Sequence, residues 1–120
     1  MAEHNELGKQ GEELATQHLV MSGYKIRDRN WSFRKAELDI VAEKDGVVVF
    51  VEVKTRSSEE FETPASTVTM KKQKQLVLAA DQYLKSKELT HEARFDVIYI
   101  IHNQRYTKIQ HIIEAFYPTT

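Results

Sequence analysis

Four charged side chains in the first half of the chain have types and spacing that could either help to hold a divalent cation or pair with one another as ions. Glu37 and Asp39 lie two residues apart, and Glu52 and Lys54 repeat that spacing farther along the chain. Carboxylate oxygens are the ligands that Mg²⁺ and Mn²⁺ prefer, and an ammonium group can stabilise negative charge that develops on a phosphate. These residue types therefore suit a divalent-cation site, and a cation held by carboxylates can activate a water for hydrolysis.

A predicted hairpin brings these side chains together. The dipeptide Asp45-Gly46 separates two strand-like segments and favours a two-residue β-turn. Such a turn pairs Lys44 with Val47, so the numbers of paired residues sum to 91. Asp39 then lies directly opposite Glu52, with the Cβ atoms about 5 Å apart. Because side chains alternate along a strand, all four charged side chains share one face.

Two opposed carboxylates need a compensating cation. Opposed like charges destabilise a sheet, and a buried glutamate without a partner is strongly disfavoured. The strand that carries Glu52 is apolar on both faces, which predicts a central position in the sheet. Either Lys54 or a bound divalent cation could supply the positive charge. A purely structural ladder of ion pairs among the four residues stays open as the alternative.

The first helix offers a third carboxylate. Residues 5–22 carry apolar side chains at helical spacing, and Gly23 follows as a stop signal. Glu12 lies at the edge of that apolar stripe, whereas Glu13 points about 100° farther round the helix. We therefore expect Glu12 to face the sheet and Glu13 to face water.

The remaining elements complete an α/β fold. The pattern predicts the order α-β-β-β-α-β-β and a mixed β-sheet flanked by helices. After the first helix, the predicted strands are residues 24–31, 36–43, 47–55, 94–102 and 108–113, the second helix is 69–87, and a loop covers 59–66.

Basic residues near the second helix could bind nucleic acid. Lys71, Lys72 and Lys74 crowd its first turns, after Thr69 as a predicted N-cap. Cations oppose the helix dipole there, while exposed backbone N–H groups favour an anion, so a bound phosphate would reconcile the two. Arg56, just beyond the charged strand, could reach a phosphate too, and a solvated lysine face is the alternative. A second basic block, whose direction the sequence leaves open, comprises Arg27, Arg29, Arg34 and Lys35.

The chain also resembles a known family. Asp39 followed by Glu52-Val53-Lys54 resembles the D…E-x-K signature of PD-(D/E)xK nucleases. With its surrounding motifs, the chain closely resembles the YraN-like family of uncharacterised bacterial proteins over roughly residues 8–116, and that family is similar in fold to archaeal Holliday-junction resolvases. The motifs in order are Gly8-x-x-Gly11-Glu12-x-x-Ala15, Gly23-Tyr24, Arg29-Asn30, Glu37-Leu38-Asp39-Ile40-Val41-Ala42, Phe50-Val51-Glu52-Val53-Lys54-Thr55-Arg56 and Arg94-Phe95-Asp96-Val97-Ile98.

The resemblance implies a restriction-endonuclease-like fold and a set of roles. Glu12, Asp39 and Glu52 match the metal-binding acidic positions, and Lys54 matches the catalytic lysine, so all four are candidate catalytic residues. The resemblance implies a nuclease that uses Mg²⁺ or Mn²⁺. Its implied substrate is DNA rather than RNA, with selectivity for branched or junction structures. Its implied assembly is a homodimer. Two alternatives stay open: a nucleic-acid-binding module without catalysis, and an interaction protein whose carboxylates and lysine form a structural network.

Composition limits the other function classes. The 120 residues predict one domain, 1–120. The absence of cysteine excludes disulfide scaffolds, cysteine-ligated zinc and cysteine nucleophiles. The sequence contains no apolar run long enough to cross a membrane and no signal-peptide core near Met1. We therefore expect a cytoplasmic protein with no membrane partner.

Overall fold

A computed structural model describes residues 2–59, 64 and 67–118. The predicted order of elements, α-β-β-β-α-β-β, is confirmed. The predicted loop at 59–66 lies mostly outside the described residues. The elements are α1 (Ala2–Met21), β1 (Lys25–Phe33), β2 (Ala36–Lys44), β3 (Val47–Arg56), α2 (Met70–Ser86), β4 (Glu92–His102) and β5 (Thr107–Phe116).

The five strands form one mixed sheet in the order β1-β2-β3-β4-β5. Three neighbouring pairs are antiparallel, and β3 runs parallel to β4, with α2 as the connection between them. The side chains of α1 and α2 pack in two separate cores that contain opposite faces of β3. The predicted α/β class is therefore confirmed, and the architecture is consistent with a restriction-endonuclease-like fold.

The central position of β3 follows from its sequence. The even-numbered residues Val48 and Phe50 belong to the core under α2, and the odd-numbered Val49 and Val51 belong to the core under α1. A strand that is apolar on both faces is stable only when helices cover both. The polar residues of β3 are thereby confined to its C-terminal end.

The hairpin register that the sequence predicts is confirmed from the turn to the middle of the strands. The paired residues run from Lys44 with Val47 to Ile40 with Val51. Both turn residues have positive φ, 52° at Asp45 and 78° at Gly46, as a type I′ turn requires. The turn therefore sets which side chains of β2 and β3 share a face.

The second helix begins where the sequence predicts. The hydroxyl of Thr69 accepts a hydrogen bond from the backbone N–H of Lys72 at 3.2 Å, which is the N-cap interaction. Among the described residues, neither helix has both the length and the apolar character that crossing a bilayer would require.

Candidate active site

The candidate site lies where the regular pairing of β2 and β3 ends. The register stops at Ile40 and Val51, and a regular continuation would set Val53 against Leu38. Instead, the backbone N–H of Val53 donates a hydrogen bond to Asp39 Oδ2 at 2.9 Å. The side chain of Asp39 therefore takes a place in the ladder that a strand carbonyl normally occupies.

The alternation of β2 also breaks at this position. Leu38 packs in the core under α2, whereas Ile40, two residues later, packs in the core under α1. In a regular strand, side chains two residues apart share a face. The break at Asp39 turns β2 over and leaves room for a carboxyl group between the strands.

A left-handed residue on β1 faces this break. Asn30 has a φ of 54° although it lies inside a strand, between residues Arg29 and Trp31, which both pair regularly with β2. Asparagine adopts this conformation more readily than most residues. Its side chain forms a hydrogen bond with Glu12 of α1. The irregular backbone therefore serves to aim one polar side chain at an acid.

Asp39 and Glu52 form a hydrogen-bonded pair of carboxyl groups. Glu52 is only 5% exposed. Burial, the charge of Glu52 and the hydrogen bond to Glu52 together raise the pKa of Asp39 to about 8, although the N–H of Val53 acts in the opposite direction. Asp39 therefore keeps its proton at neutral pH and donates it in the hydrogen bond to Glu52.

Two lysines from different elements contact the same carboxylate. Lys54 Nζ lies 3.4 Å from Glu52 Oε2, and Lys72 Nζ of α2 lies 3.8 Å from that same oxygen. Glu37, which the register predicts opposite Lys54, is exposed. In place of the alternative four-residue ladder, one buried glutamate contacts two ammonium groups, and these groups offset the cost of burying its charge.

Close packing of α1 on β3 brings Glu12 toward the pair. A Cβ atom at Gly11 would overlap the side chain of Thr55, so only glycine allows this approach. Burial raises the pKa of Glu12, and the charge of Glu52 adds to that rise, while the Asn30 hydrogen bond and the charge of Arg29 lower it. Glu12 therefore lies within the electrostatic reach of the carboxyl pair.

The donor set fits a hard divalent cation. Asp39 and Glu52 offer adjacent carboxylate oxygens, which suit Mg²⁺ or Mn²⁺, and a cation can take the place of the proton on Asp39. Within residues 2–59, 64 and 67–118, no three His, Asp or Glu side chains are already arranged as ligands of one ion. Glu12 hydrogen-bonds Asn30 in this state. The structure thus brings two of the predicted ligands together and holds the third beside them.

The predicted nucleic-acid-binding residues lie on β3 and α2, the two elements that supply Glu52, Lys54 and Lys72 to the site. We call Lys71, Lys72 and Lys74 the α2 lysines. Lys71 and Lys74 are exposed and have no carboxylate partner within the described part of the chain. Arg56 ends β3, is half-buried, and donates a hydrogen bond from Nη1 to the carbonyl oxygen of Thr55 at 3.0 Å.

Two arginines of the second basic block form ion pairs with glutamates. Arg27 pairs with Glu43 at 2.7 Å, and Arg29 pairs with Glu13 at 3.2 Å. Sequence reasoning missed both pairs, and it missed Asn30 as a partner of Glu12. An asparagine inside a strand pattern was the available signal, because asparagine there favours an irregular backbone.

A second polar network lies in the interior away from the candidate site. Asp96 is fully buried and accepts hydrogen bonds from Arg94 at 2.8 and 2.9 Å and from His111 at 2.7 Å. Burial raises the pKa of Asp96, but these bonds and the N–H of Glu114 outweigh burial and lower it. His18 of α1 is half-buried and hydrogen-bonds His111 at 3.2 Å. This network is consistent with a structural role.

The family model and the relatives that match this chain carry the same family name. A family model described as "Uncharacterised protein family UPF0102" matches residues 11–100, which include Glu12, Asp39, Glu52 and Lys54. A UPF0102 protein of Christiangramia forsetii is 49% identical over 98% of both chains, and one of Bacteroides thetaiotaomicron is 50% identical over the same share. A UPF0102 protein of Syntrophomonas wolfei is 50% identical over 94% of this chain and 99% of its own.

Proposed function

The chain belongs to the uncharacterised protein family UPF0102, and we propose that it is a metal-dependent nuclease that hydrolyses phosphodiester bonds. The predicted membership of the YraN-like family is thereby confirmed. One observation carries the proposal: the carboxyl groups of Asp39 and Glu52 share a hydrogen bond beside the ammonium group of Lys54. Two adjacent buried acids lose stability whenever both are ionised, and a bound cation removes that cost.

In this proposal, Asp39 and Glu52 hold Mg²⁺ or Mn²⁺, and Glu12 is the nearest further carboxylate. Such a cation supplies an activated water and neutralises charge on the phosphate. Asp39 must give up its proton to act as a ligand, so cation binding is coupled to proton release. Asn30 keeps Glu12 oriented toward the pair through its side-chain hydrogen bond.

The lysines supply positive charge where a phosphate would lie. Lys54 is held by Glu52 on β3, and in this proposal its ammonium group would offset negative charge that develops during hydrolysis. Lys72 reaches the same carboxylate oxygen from α2. The other α2 lysines and Arg56 would contact neighbouring phosphates of the substrate.

We further propose DNA, in branched or junction form, as the substrate class, and a homodimer as the active species. Both follow from the resemblance to archaeal Holliday-junction resolvases. We propose the cytoplasm as the place of action.

A second candidate function is nucleic-acid binding without catalysis. Lys71 and Lys74 favour it because, among the described residues, neither has a carboxylate partner that would neutralise it. Such a module would bind DNA through phosphate contacts with no need of the acidic pair.

The test is a cleavage assay. Purified protein is incubated with duplex, single-stranded, flapped and four-way DNA, and with RNA, in Mg²⁺ or Mn²⁺. We expect product from at least one DNA, and we expect Asp39→Asn and Lys54→Ala to abolish it while Asp45→Asn, a matched change in the exposed turn, keeps it. Product that survives Asp39→Asn would indicate a contaminating nuclease and refute the proposal. Binding of DNA without product would favour the second candidate.

A further inference from the structure

We propose that a small apolar cavity between the β1–β2 turn and α2 binds one unpaired base of the nucleic-acid substrate; this inference rests on the proposed function. The cavity measures about 280 Å³, just below the range of about 300–1,000 Å³ for small-ligand pockets. It therefore fits one flat ring system rather than a larger ligand. Its lining residues are Phe33, Arg34, Lys35, Ala36, Gln75 and Leu78.

The lining has the chemistry that holds a base. Leu78 is a large apolar side chain, yet it is 47% exposed on α2. Phe33 is partly buried against the core under α2, and the guanidinium carbon of Arg34 lies 5.1 Å from the centre of its ring, so an arginine plane and an aromatic ring lie together at the cavity. Aromatic rings and arginine planes are the platforms on which proteins stack unpaired bases. The amide of Gln75 supplies both donors and an acceptor for the edge of a base.

The charged side chains around the cavity are positive, which favours a polyanionic ligand. Within the described part of the chain, Arg34, Lys35, Lys71 and Lys74 have no carboxylate partner, and the residues known to line the cavity include no acid. A second, larger cavity of about 370 Å³ shares the exposed leucine of α2, but its described lining holds one lysine and one acid, Lys74 and Asp81, whereas the smaller cavity is lined by two cations and no described acid. The smaller cavity is therefore the one that suits a nucleotide.

The distance to the carboxyl pair determines which base can enter. Ala36 lies three residues before Asp39 on β2, or about 10 Å at about 3.3 Å per residue. Stacked nucleotides follow one another at about 3.4 Å. At that spacing the distance equals about three nucleotides, and an unstacked strand, which is more extended, needs no more than that to bring a base from a phosphate at Glu52 to the cavity. Because a paired base is stacked inside its duplex, the substrate must carry unpaired nucleotides close to the cleavage point, as a flap, a branch or a frayed end does.

Binding measurements without metal test the cavity separately from catalysis. Three fluorescent DNAs are titrated with wild-type protein in chelator: a blunt duplex, the same duplex with a short single-stranded overhang, and that overhang with abasic sites. Stacking of one base predicts about 5- to 150-fold tighter binding of the overhang than of the blunt duplex. The abasic overhang should lose that gain, because its phosphates are present and its bases are not.

Two variants assign the effect to the cavity. Leu78→Gln should abolish the overhang preference and keep the affinity for the blunt duplex, and Phe33→Leu, which keeps apolar volume but removes the ring, should weaken the preference. The matched control is Val20→Gln, because Val20 is an equally exposed apolar residue on α1, and it should behave as wild type. Circular dichroism melts show that each variant is folded.

The outcomes separate this inference from the proposed function. Three results would each refute the proposal that the cavity binds a base. They are equal affinity for blunt and overhang DNA, tight binding of the abasic overhang, and an unchanged overhang preference in both cavity variants. If the protein prefers the overhang through the cavity and never cleaves, the cavity is supported and the nuclease proposal fails. If the protein cleaves a blunt duplex and binds blunt and overhang DNA equally well, the nuclease proposal is supported and the cavity inference fails.

Discussion

Replacing Asp39 by asparagine should stabilise the metal-free protein, and increasingly so as the pH rises. Asparagine reproduces protonated aspartic acid at this position, because its oxygen can accept the N–H of Val53 and its amide can donate to Glu52. Wild-type protein keeps those contacts only while the carboxyl pair holds its proton. The variant has no proton to lose.

The size of the effect follows from the pKa of Asp39. That pKa is about 8 in the folded chain against an ordinary value of 3.8, so between these two pH values the folded chain holds a proton that the unfolded chain has released. Stability is therefore complete below the lower value and is lost as the pH rises through the higher one. At about 1.4 kcal/mol per pH unit, wild type should lose about 4 kcal/mol relative to the variant between pH 5 and pH 9. Because Glu52 accepts the hydrogen bond from that proton, this loss belongs to the pair.

Urea unfolding in chelator at pH 5, 7 and 9 measures the effect. The control is Asp45→Asn, which makes the same chemical change at an exposed turn and should differ from wild type by a constant amount. If the free-energy difference between Asp39→Asn and wild type is the same at pH 5 and pH 9, the carboxyl pair does not hold a proton and the reasoning is wrong.

Added metal should reverse the order of stability. At a free Mg²⁺ or Mn²⁺ concentration of 100 times the dissociation constant, wild type should gain about 2.7 kcal/mol, and Asp39→Asn should lose most of that gain. A purely structural ion network predicts the opposite pattern, with no response to metal in wild type and a loss of metal-free stability in the variant.

Three other changes test the surrounding structure. Replacing the α2 lysines together by alanine should flatten the log–log salt dependence of DNA binding by about 0.7–0.9 per lost phosphate contact, and an unchanged slope would make them a solvated face. Gly11→Ala should destabilise the fold by about 1–3 kcal/mol in urea because its Cβ overlaps the neighbouring β3 side chain; Gly8→Ala, which meets nothing within 4 Å, should be neutral or slightly stabilising. Asp96→Ala should cost about 3–5 kcal/mol because it strips Arg94 of its buried partner, and in thermal melts Glu59→Ala, which removes an exposed ion pair, should change stability far less.

The part of the site that local chemistry determines was predictable. Asp45-Gly46 selects one turn type, and that turn sets the register of β2 and β3. With the register known, the pleat predicts Asp39 and Glu52 beside each other, and they do meet, although the regular pairing ends one residue before them. For the same reason, the N-cap at Thr69 was predictable, since it depends on residues within one turn of helix.

The parts that depend on distant contacts were not predictable. The break at Asp39 needs β1 beside β2 and a left-handed Asn30, neither of which the alternation of polar and apolar residues reveals. The position of Lys72 against Glu52 depends on how the crossover lays α2 on the sheet. Likewise, the sequence could not show whether Arg29 contacts a substrate phosphate or an acidic side chain, because its partner Glu13 lies on a different element, α1.

The connection between β3 and β4 also has a consequence for how the protein is assembled on the ribosome. The β2–β3 hairpin closes around two residues, whereas the parallel pairing of Val47 with Glu92 joins positions 92 − 47 = 45 residues apart, and such long-range pairing forms late. The three acids precede residue 53 and the α2 lysines follow residue 70, so a nascent chain, which is made from its N-terminus, holds its anionic half first. Its affinity for a polyanion should therefore arise only when synthesis and the crossover are complete.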